Sequence, residues 1–379
     1  MSIFVAPALG AEEERVLGSI DSLLKKLGGE STAHRWYGTL RRTSMARAVR
    51  GSNSIEGYRV TVDDALAAGA GEEPLDADRD TWRAVTGYQR AMTFLLQKSE
   101  EPGRFEISID LIQSMHFMMI QHDLSKRPGR WRDGPISVVD EVRSAIVYRG
   151  PDFEMVPALM DELADAVNQD HDEHVVIQAA MAHLNLAMIH PFKDGNGRMA
   201  RCLQTMVLAR DKITNPIFSS IEEYLGANTA RYYDVLAGVG QGAWHPERDA
   251  REWIRFCLTA HFRQATTVAY RKKALQGMFE ELEHLLTAKG LPPRSLMAAG
   301  EAAMGYRVRN ATYRASADVS LAVASKDLKA LADAGLLEAR GESRGRHYVA
   351  AAHVFALGEH YRNPPRIEDP FSPAALPAH

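Results

Sequence analysis

This 379-residue chain has few cysteines, a small net charge and no long apolar runs. The two cysteines, Cys202 and Cys257, have no metal-binding spacing and fall on apolar helical segments, which predicts packed thiols. A formal net charge of −4 gives no general attraction to nucleic acid or to an anionic membrane. No apolar stretch approaches the length of a membrane span, so we expect no membrane partner and a cytoplasmic location.

The composition is that of a globular protein, with 45% hydrophobic and 25% charged residues, and the length predicts two or three folded units. Apolar residues at helical spacing dominate the chain, so the fold is expected to be mainly α. The predicted helices include Glu12 to Leu27, Trp36 to Val49, Val62 to Ala68, Trp82 to Leu96, Leu111 to His122, Val156 to Val167 and Arg251 to Ala265.

The most distinctive segment runs from His190 to Arg201 and reads HPFKDGNGRMAR. Apolar spacing before it predicts a buried helix, and Pro191 disfavours helical geometry at His190, so the helix is expected to end there. Gly195 and Gly197 leave room for a phosphate beside the main chain. A second helix is predicted from about Arg198, and loop amides followed by a helix N-terminus form an anion site.

This segment resembles the signature H-P-F-x-[DE]-G-N-G-R-x-x-R of the Fic family of nucleotidyl transferases. The resemblance implies that His190 is the general base, a task suited to its ordinary pKa near 6.5. It implies that Asp194 holds Mg²⁺ and that Asn196, with the loop amides, stabilises charge on the phosphate. Arg198 and Arg201, one turn apart, are expected to face the polyphosphate.

Gly197 narrows the reaction that the resemblance implies. In the kinase-like branch of the family a lysine replaces this glycine, whereas the branch that attacks the α-phosphate retains it. The expected reaction is therefore Mg²⁺-dependent transfer of AMP from ATP to a Ser, Thr or Tyr hydroxyl of a target protein, or of the protein itself. Pyrophosphate would be released, and Gly195, Asn196 and Gly197 would contribute to nucleotide binding.

An upstream segment, Ser52-Asn53-Ser54-Ile55-Glu56-Gly57, resembles the inhibitory helix motif [ST]-x-x-x-E-[GN] of many Fic proteins. Ser52 and Glu56 share a helix face, and Gly57 is a plausible helix stop. The resemblance implies that Glu56 pairs with Arg201 and removes a γ-phosphate contact. On local evidence the segment is also an ordinary solvated helix end, and a role of Glu56 in removing AMP stays open.

Two further regions are candidates for substrate contacts. β-prone runs around a charged turn, Asp140 to Arg143, predict a hairpin, which resembles the family's flap for the target chain, with Ile136, Val138 and Val139 as contacts. An ordinary surface hairpin is the alternative. Later in the chain, Tyr232 and Tyr233 are candidates for a wall beside the adenine, although a tyrosine pair on an apolar helix is also typical of a core.

Residues 291–357 change in character. Helices near Leu296, Asn310 to Ala317 and Leu321 to Ala334 precede two short strands, which resembles a winged helix-turn-helix domain. Residues 295–350 hold eight Lys or Arg against six Asp or Glu, an excess too small for a committed DNA binder. Docking of a protein and binding of DNA are both open, and a second copy of the chain is a further candidate partner.

These patterns predict a Fic-type helical core with a small β-hairpin flap and a C-terminal winged helix-turn-helix domain. The expected divisions are an N-terminal helical region (1–105) with the inhibitory helix near 44–57, a catalytic core (106–265), a linking helix (266–290), the winged unit (291–357) and a disordered proline-rich tail (358–379). The leading hypothesis is an adenylyltransferase. The alternative is a DNA-binding transcriptional regulator whose Fic domain senses nucleotide.

Overall fold

A computed structural model describes residues 3–28, 35–140, 145–169, 172–212, 216–342 and 345–372. The helices are α1 (Ala11–Gly28), α2 (Arg35–Ile55), α3 (Val62–Gly69), α4 (Arg79–Glu100), α5 (Ile109–Ile120), α6 (Val156–Asn168), α7 (Val175–Ile189), α8 (Asn196–Arg210), α9 (Pro216–Ser219), α10 (Glu222–Ala227), α11 (Thr229–Gly240), α12 (Arg251–Ala288), α13 (Leu296–Ala303), α14 (Asn310–Ala317), α15 (Leu321–Asp333), α16 (Ala352–Leu357) and α17 (Glu359–Arg362). The strands are β1 (Ser137–Asp140), β2 (Ala145–Arg149), β3 (Gly242–Ala243), β4 (Leu337–Arg340) and β5 (His347–Ala350). The expectation of a mainly α fold is confirmed.

Helices α7 and α8 form the centre of the molecule and pack against each other. Residues all round both helices are buried, which is typical of a helix enclosed on every side by protein. Around this pair lie α2, α4, α5, α6 and α12. The loop between α7 and α8 is therefore held at both ends by the most buried part of the fold.

The predicted hairpin is present as β1 and β2, which pair antiparallel with an irregular register between Val138 and Val139. The short strand β3 adds to β2 in parallel, so β1 lies at the edge of the sheet. Val139 is half exposed, whereas Ile136 and Val138 are partly covered. The turn residues Glu141 to Ser144 lie outside the described part of the chain.

The C-terminal unit has the predicted order of elements. Helices α13, α14 and α15 precede the antiparallel pair β4–β5, which closes in the register Leu337 to Ala350 and Arg340 to His347. Ser320 caps α15 by accepting a hydrogen bond from the Val323 amide, and Gly335 ends it with φ of 75°. The interpretation of this unit as a winged helix-turn-helix domain stays a prediction.

The structure differs from the predicted boundaries in two places. No separate linking helix begins at residue 266, because α12 continues without a break from Arg251 to Ala288. The tail is not disordered over its first part, because α17 forms and Tyr361 is buried with 1% exposure. Proline content alone missed this aromatic anchor; residues 373–379 lie outside the described chain.

The middle of helix α2 touches the C-terminal unit. Arg42 forms an ion pair of 3.0 Å with Glu301, and Tyr361 donates a hydrogen bond of 3.0 Å to the Thr43 hydroxyl. One turn further on, Arg47 donates to the Tyr306 hydroxyl at 2.9 Å.

Within the described residues no helix is both long and apolar enough to cross a membrane.

Candidate functional site

His190 lies where α7 ends, as the sequence predicts. Its backbone is left-handed (φ 51°, ψ 57°), and its amide donates to the Leu186 carbonyl at 3.0 Å to close the helix. The ring Nδ1 lies 3.1 Å from the Ala187 carbonyl, which fixes the proton on Nδ1 and leaves the Nε2 lone pair free. Burial lowers the pKa of His190 below its ordinary value, so the ring is a neutral base near pH 7.

Asn196 braces the loop through two hydrogen bonds. Its Oδ1 accepts a hydrogen bond of 2.8 Å from the Phe192 amide, and its Nδ2 donates to the Phe192 carbonyl at 2.8 Å. The side chain is 2% exposed. Asn196 therefore fixes the shape of the loop and keeps one N–H of Nδ2 outside these two bonds, and its direct contact with the phosphate stays a prediction.

His116, which is not among the residues predicted from the sequence, holds the same loop from α5. Its Nε2 lies 2.9 Å from the Asp194 carbonyl, and its Nδ1 accepts from the Gly129 amide at 2.9 Å. The ring stacks on Phe192 at 3.6 Å, and burial lowers its pKa to about 4, so it is neutral. Gly195 has φ of 75°, and a Cβ there would lie 2.8 Å from Ile120 Cδ1. No local signal identified His116, since its partners are distant in the chain.

Arg198 and Arg201 are buried side by side at the start of α8, each 1% exposed. Among the described residues, Nε and Nη1 of Arg198 and Nη1 of Arg201 have no hydrogen-bond partner. Tyr58 covers the Arg198 guanidinium at 5.1 Å. Buried guanidinium N–H groups without acceptors are costly, and an anion such as a polyphosphate would satisfy them.

Glu56 and Ser52 accept hydrogen bonds from the other donors of Arg201. Arg201 Nη2 donates to Glu56 Oε1 at 2.7 Å, and Arg201 Nε donates to the Ser52 hydroxyl at 2.8 Å. The Ser52 carbonyl accepts a further bond of 2.9 Å from Nη2. A Cβ on Gly197 would collide with the Glu56 carboxylate, so that carboxylate lies directly over the first turn of α8. The structure thus brings together the two motifs that lie far apart in sequence.

The segment of Ser52 and Glu56 is positioned by its helix. Helix α2 is continuous from Arg35 to Ile55, so it joins the helix predicted from Trp36 to Val49 with the inhibitory helix predicted near 44–57. It ends one residue before Glu56, which stands in the turn, and Gly57, with φ of 84°, redirects the chain. Tyr233 donates to the Ile55 carbonyl at 3.3 Å. This end of α2 is therefore fixed both by Arg201 and by α11.

Asp194 stands at the open side of the loop. Its side chain is 33% exposed, with Oδ1 accepting from the Gly195 amide at 2.6 Å and Oδ2 lying 3.4 Å from Lys126 Nζ. Among the described residues, no group of three or more His, Cys, Asp or Glu could enclose a metal. A single accessible carboxylate fits Mg²⁺ here, because this ion is commonly held by one or two carboxylates plus substrate phosphates. The arginine N–H groups beside it could bind those phosphates.

The two candidate adenine residues differ in their surroundings. Tyr232 is 1% exposed and its hydroxyl lies 2.9 Å from His183 Nε2, so it belongs to the core and presents no open face. Tyr233 is 45% exposed and lies over Tyr232 with ring centroids 5.3 Å apart. Of the two tyrosines, the geometry leaves only Tyr233 with a surface that an adenine ring could contact.

The model of the Fic/DOC family matches residues 106–208. This segment is a Fic domain. It contains the His190 loop and the hairpin, whereas Ser52 and Glu56 lie before it.

Curated relatives of the Fic domain are protein adenylyltransferases by name. Protein adenylyltransferase fic-1 of Caenorhabditis briggsae is 29% identical over 179 residues, covering 45% of this chain and 33% of the relative. Protein adenylyltransferase Fic of Nematostella vectensis is 30% identical over 217 residues, covering 54% and 44% respectively. The chain spans between a third and just under half of the curated relatives it matches.

Solved structures show the same fold around the Fic domain. A Fic family protein from Desulfovibrio desulfuricans G20 superposes with a TM-score of 0.58 at 19% identity, covering 92% of this chain and 99% of that one. Fic-1 from C. elegans superposes with a TM-score of 0.55 at 23% identity, covering 69% and 73%. At these identities the likeness concerns the fold.

Proposed function

We propose that the protein transfers AMP from ATP to a hydroxyl side chain of a target protein, and of itself, and that Glu56 restrains this transfer. The observation that carries the proposal is the set of buried, unpartnered N–H groups on Arg198 and Arg201, which begin the helix directly after the His190 loop. These groups fit an anionic ligand with several acceptor oxygens. The names of the curated relatives support the choice of reaction.

His190 Nε2 takes the proton of the target hydroxyl as its oxygen attacks the α-phosphorus. A new phosphorus–oxygen bond forms, the bond to the β-phosphate oxygen breaks, and pyrophosphate leaves. The proton on His190 then passes to solvent. Loop amides and the Arg198 guanidinium stabilise charge on the phosphates, and Asn196 and His116 contribute by keeping the loop in shape.

Asp194 would hold Mg²⁺ through its accessible carboxylate oxygen. When bound, the ion neutralises phosphate charge. The neighbouring Lys126, at 3.4 Å, competes for the same oxygen and would have to move aside.

The C-terminal unit offers little support for the DNA-binding alternative. Lys329 is paired with Asp333 at 2.6 Å, and Arg340 is paired with Glu338 at 2.5 Å. Arg344 lies outside the described residues. Pairing of this kind weakens the phosphate attraction on which DNA binding depends.

Positional labelling of ATP tests the proposed reaction. Protein incubated with magnesium and ATP labelled in the α-phosphate should acquire label and gain the mass of one AMP group. ATP labelled in the γ-phosphate should leave the protein unlabelled, because that phosphate departs in pyrophosphate. Incorporation from the γ-position would identify a kinase-like transfer instead, and sequence-selective DNA retention without any label would favour the regulator.

Removal of AMP can be followed in the same assay. If Glu56 orients a water molecule for that reaction, labelled protein should lose its label in the wild type and keep it in Glu56→Gln. Equal loss from both proteins would exclude this role of Glu56.

A further inference from the structure

Arg132 joins the motif loop to the hairpin that precedes it in the chain. It lies in the chain between α5 and β1, and it is buried, at 6% exposure. Nε donates a hydrogen bond of 2.9 Å to the His190 carbonyl, and the Arg132 amide donates to the Pro191 carbonyl at 2.9 Å. Two donors of this residue therefore hold the two residues at which α7 stops.

The other end of the same guanidinium crosses the base of the hairpin. Nη1 donates to the Gly134 carbonyl at 2.9 Å, and Nη2 donates to the Pro151 carbonyl at 2.6 Å. Gly134 precedes β1 and Pro151 follows β2. The planar guanidinium of Arg132 thus binds the main chain at both ends of the hairpin and the main chain of His190.

Arginine is suited to this position for a geometric reason. Its five N–H donors lie in one plane and point in several directions, whereas the three donors of lysine radiate from one atom. The acceptors are carbonyls, including those at the C-terminus of α7, where positive charge is favourable. A buried charge is costly, so its hydrogen bonds must be satisfied in a fixed arrangement.

We propose that Arg132 is a positioning residue, which sets the His190 ring and the hairpin in register so that a target held by the hairpin meets the base. The inference rests on the proposed function, since it assigns the hairpin to the target and His190 to proton transfer. Displacement of reacting groups by about 1 Å costs on the order of 100-fold in rate.

Measurements that need no turnover test the coupling directly. In Arg132→Gln, amide hydrogen exchange in β1 and β2 should accelerate and the NMR titration of the His190 ring should shift. Arg210→Gln is the matched control, because Arg210 is also buried and donates to the Val167 carbonyl away from this loop. Unchanged exchange and an unchanged titration in folded Arg132→Gln would overturn the proposal, as would equal changes in Arg210→Gln.

The His190 titration also has a direction. Burial is the largest cause that lowers the pKa of His190, and the Arg132 charge lowers it further, whereas the hydrogen bond to Ala187 and the charges of Glu56 and Asp194 raise it. Loss of the charge in Arg132→Gln should therefore move the titration to higher pH, and Arg132→Lys should keep it near that of the wild type. Lysine cannot reach all the carbonyls, so hairpin exchange should still accelerate in Arg132→Lys. A merely structural loss would not separate these two readouts.

Kinetics give the consequence for transfer. In a Glu56→Gly background, Arg132→Gln should lower the rate of self-labelling from α-labelled ATP by about 100-fold, while calorimetry with ATP and magnesium shows an affinity within about twofold of the parent. Loss of ATP affinity in step with the rate would contradict a positioning role. If the Glu56→Gly parent itself transferred no label, the proposed function would fail, and the exchange and titration would still decide the role of Arg132.

Discussion

At the scale of single residues, His190 is the group on which proton transfer depends. His190→Ala removes the ring and leaves the loop braced by Asn196 and His116, so ATP affinity should persist. Transfer should fall by about two to four orders of magnitude. Rates of label incorporation and calorimetric ATP binding measure the two effects, and undiminished transfer would remove His190 from the mechanism.

The pH dependence of transfer follows from the lowered pKa of His190. Burial disfavours the charged ring, so the base stays neutral to a lower pH than an exposed histidine would. The acidic limb of the kcat/KM profile, measured at ATP concentrations well below saturation so that it reports the free protein, should therefore lie below about pH 6.5. An acidic limb above that pH would mean that another group controls the rate, or that the pKa of His190 is not lowered by burial.

Asp194 is the residue on which magnesium dependence is expected to rest. Asp194→Ala removes the accessible carboxylate, so ATP affinity should lose its dependence on magnesium and transfer should fall with it. Asp194→Asn serves as the matched variant, because it keeps the size and the acceptor for the Gly195 amide. A magnesium titration of ATP binding that is unchanged in Asp194→Ala would make the metal assignment wrong.

At the scale of elements, the end of α2 acts as the restraint. Glu56→Gly removes one acceptor of Arg201 and opens the space over Gly197, so the guanidinium becomes available to the γ-phosphate. The initial rate of labelling should rise by about tenfold or more, since 1.4 kcal/mol of interaction corresponds to a factor of ten. Ser52 still holds Arg201 Nε, which should keep the fold intact.

Two variants make that comparison specific. Ser54→Ala alters the same turn but removes only a bond to the Gly51 carbonyl, so its rate should match the wild type. Glu56→Gly combined with His190→Ala should be inactive, because the gain passes through the same base. Equal or lower labelling by Glu56→Gly would reduce residues 52–57 to an ordinary helix end.

How far the sequence predicts each element depends on how local its causes are. The end of α7 at His190 follows from Pro191, and the caps of α3 and α15 follow from Thr61 and Ser320, so these features could be predicted. The inward turn of Asn196 could not, because it depends on the loop closing on Phe192. The roles of His116 and Arg132 also depend on contacts between distant segments, which residue spacing does not encode.

At the scale of the whole molecule, buried neutral histidines link stability to pH. Burial lowers the pKa of His116 to about 4 and the pKa values of His183 and His261 to about 3. Below the unfolded pKa of about 6.5 the unfolded chain binds more protons at these sites, so each costs about 1.4 kcal/mol per pH unit. Burial raises the pKa of Glu222 to about 7, so the folded chain binds an extra proton there. This proton offsets the effect of one histidine on the slope.

Stability should therefore fall as the pH drops from about 6.5 toward 5, before most carboxylates titrate. Denaturant unfolding at several pH values gives the slope. His183→Gln should reduce this slope by the equivalent of about one bound proton, since His183 is one of the buried neutral histidines. A flat profile in the wild type would contradict the burial of neutral histidines.

Helix α12 packs against the C-terminal unit, and this contact limits how far the chain can be shortened from its C-terminal end. Gly300 lies so close to Phe279 that a Cβ there would fall 2.6 Å from the ring, and Tyr361 packs beneath Arg47 and Arg271. A fragment cut after residue 290 would strip these faces and leave apolar surface where α13 and α17 now lie. A search for targets by affinity capture with such a fragment would recover proteins that adhere to the bared face, and bait that retains residues 291–372 avoids that artefact.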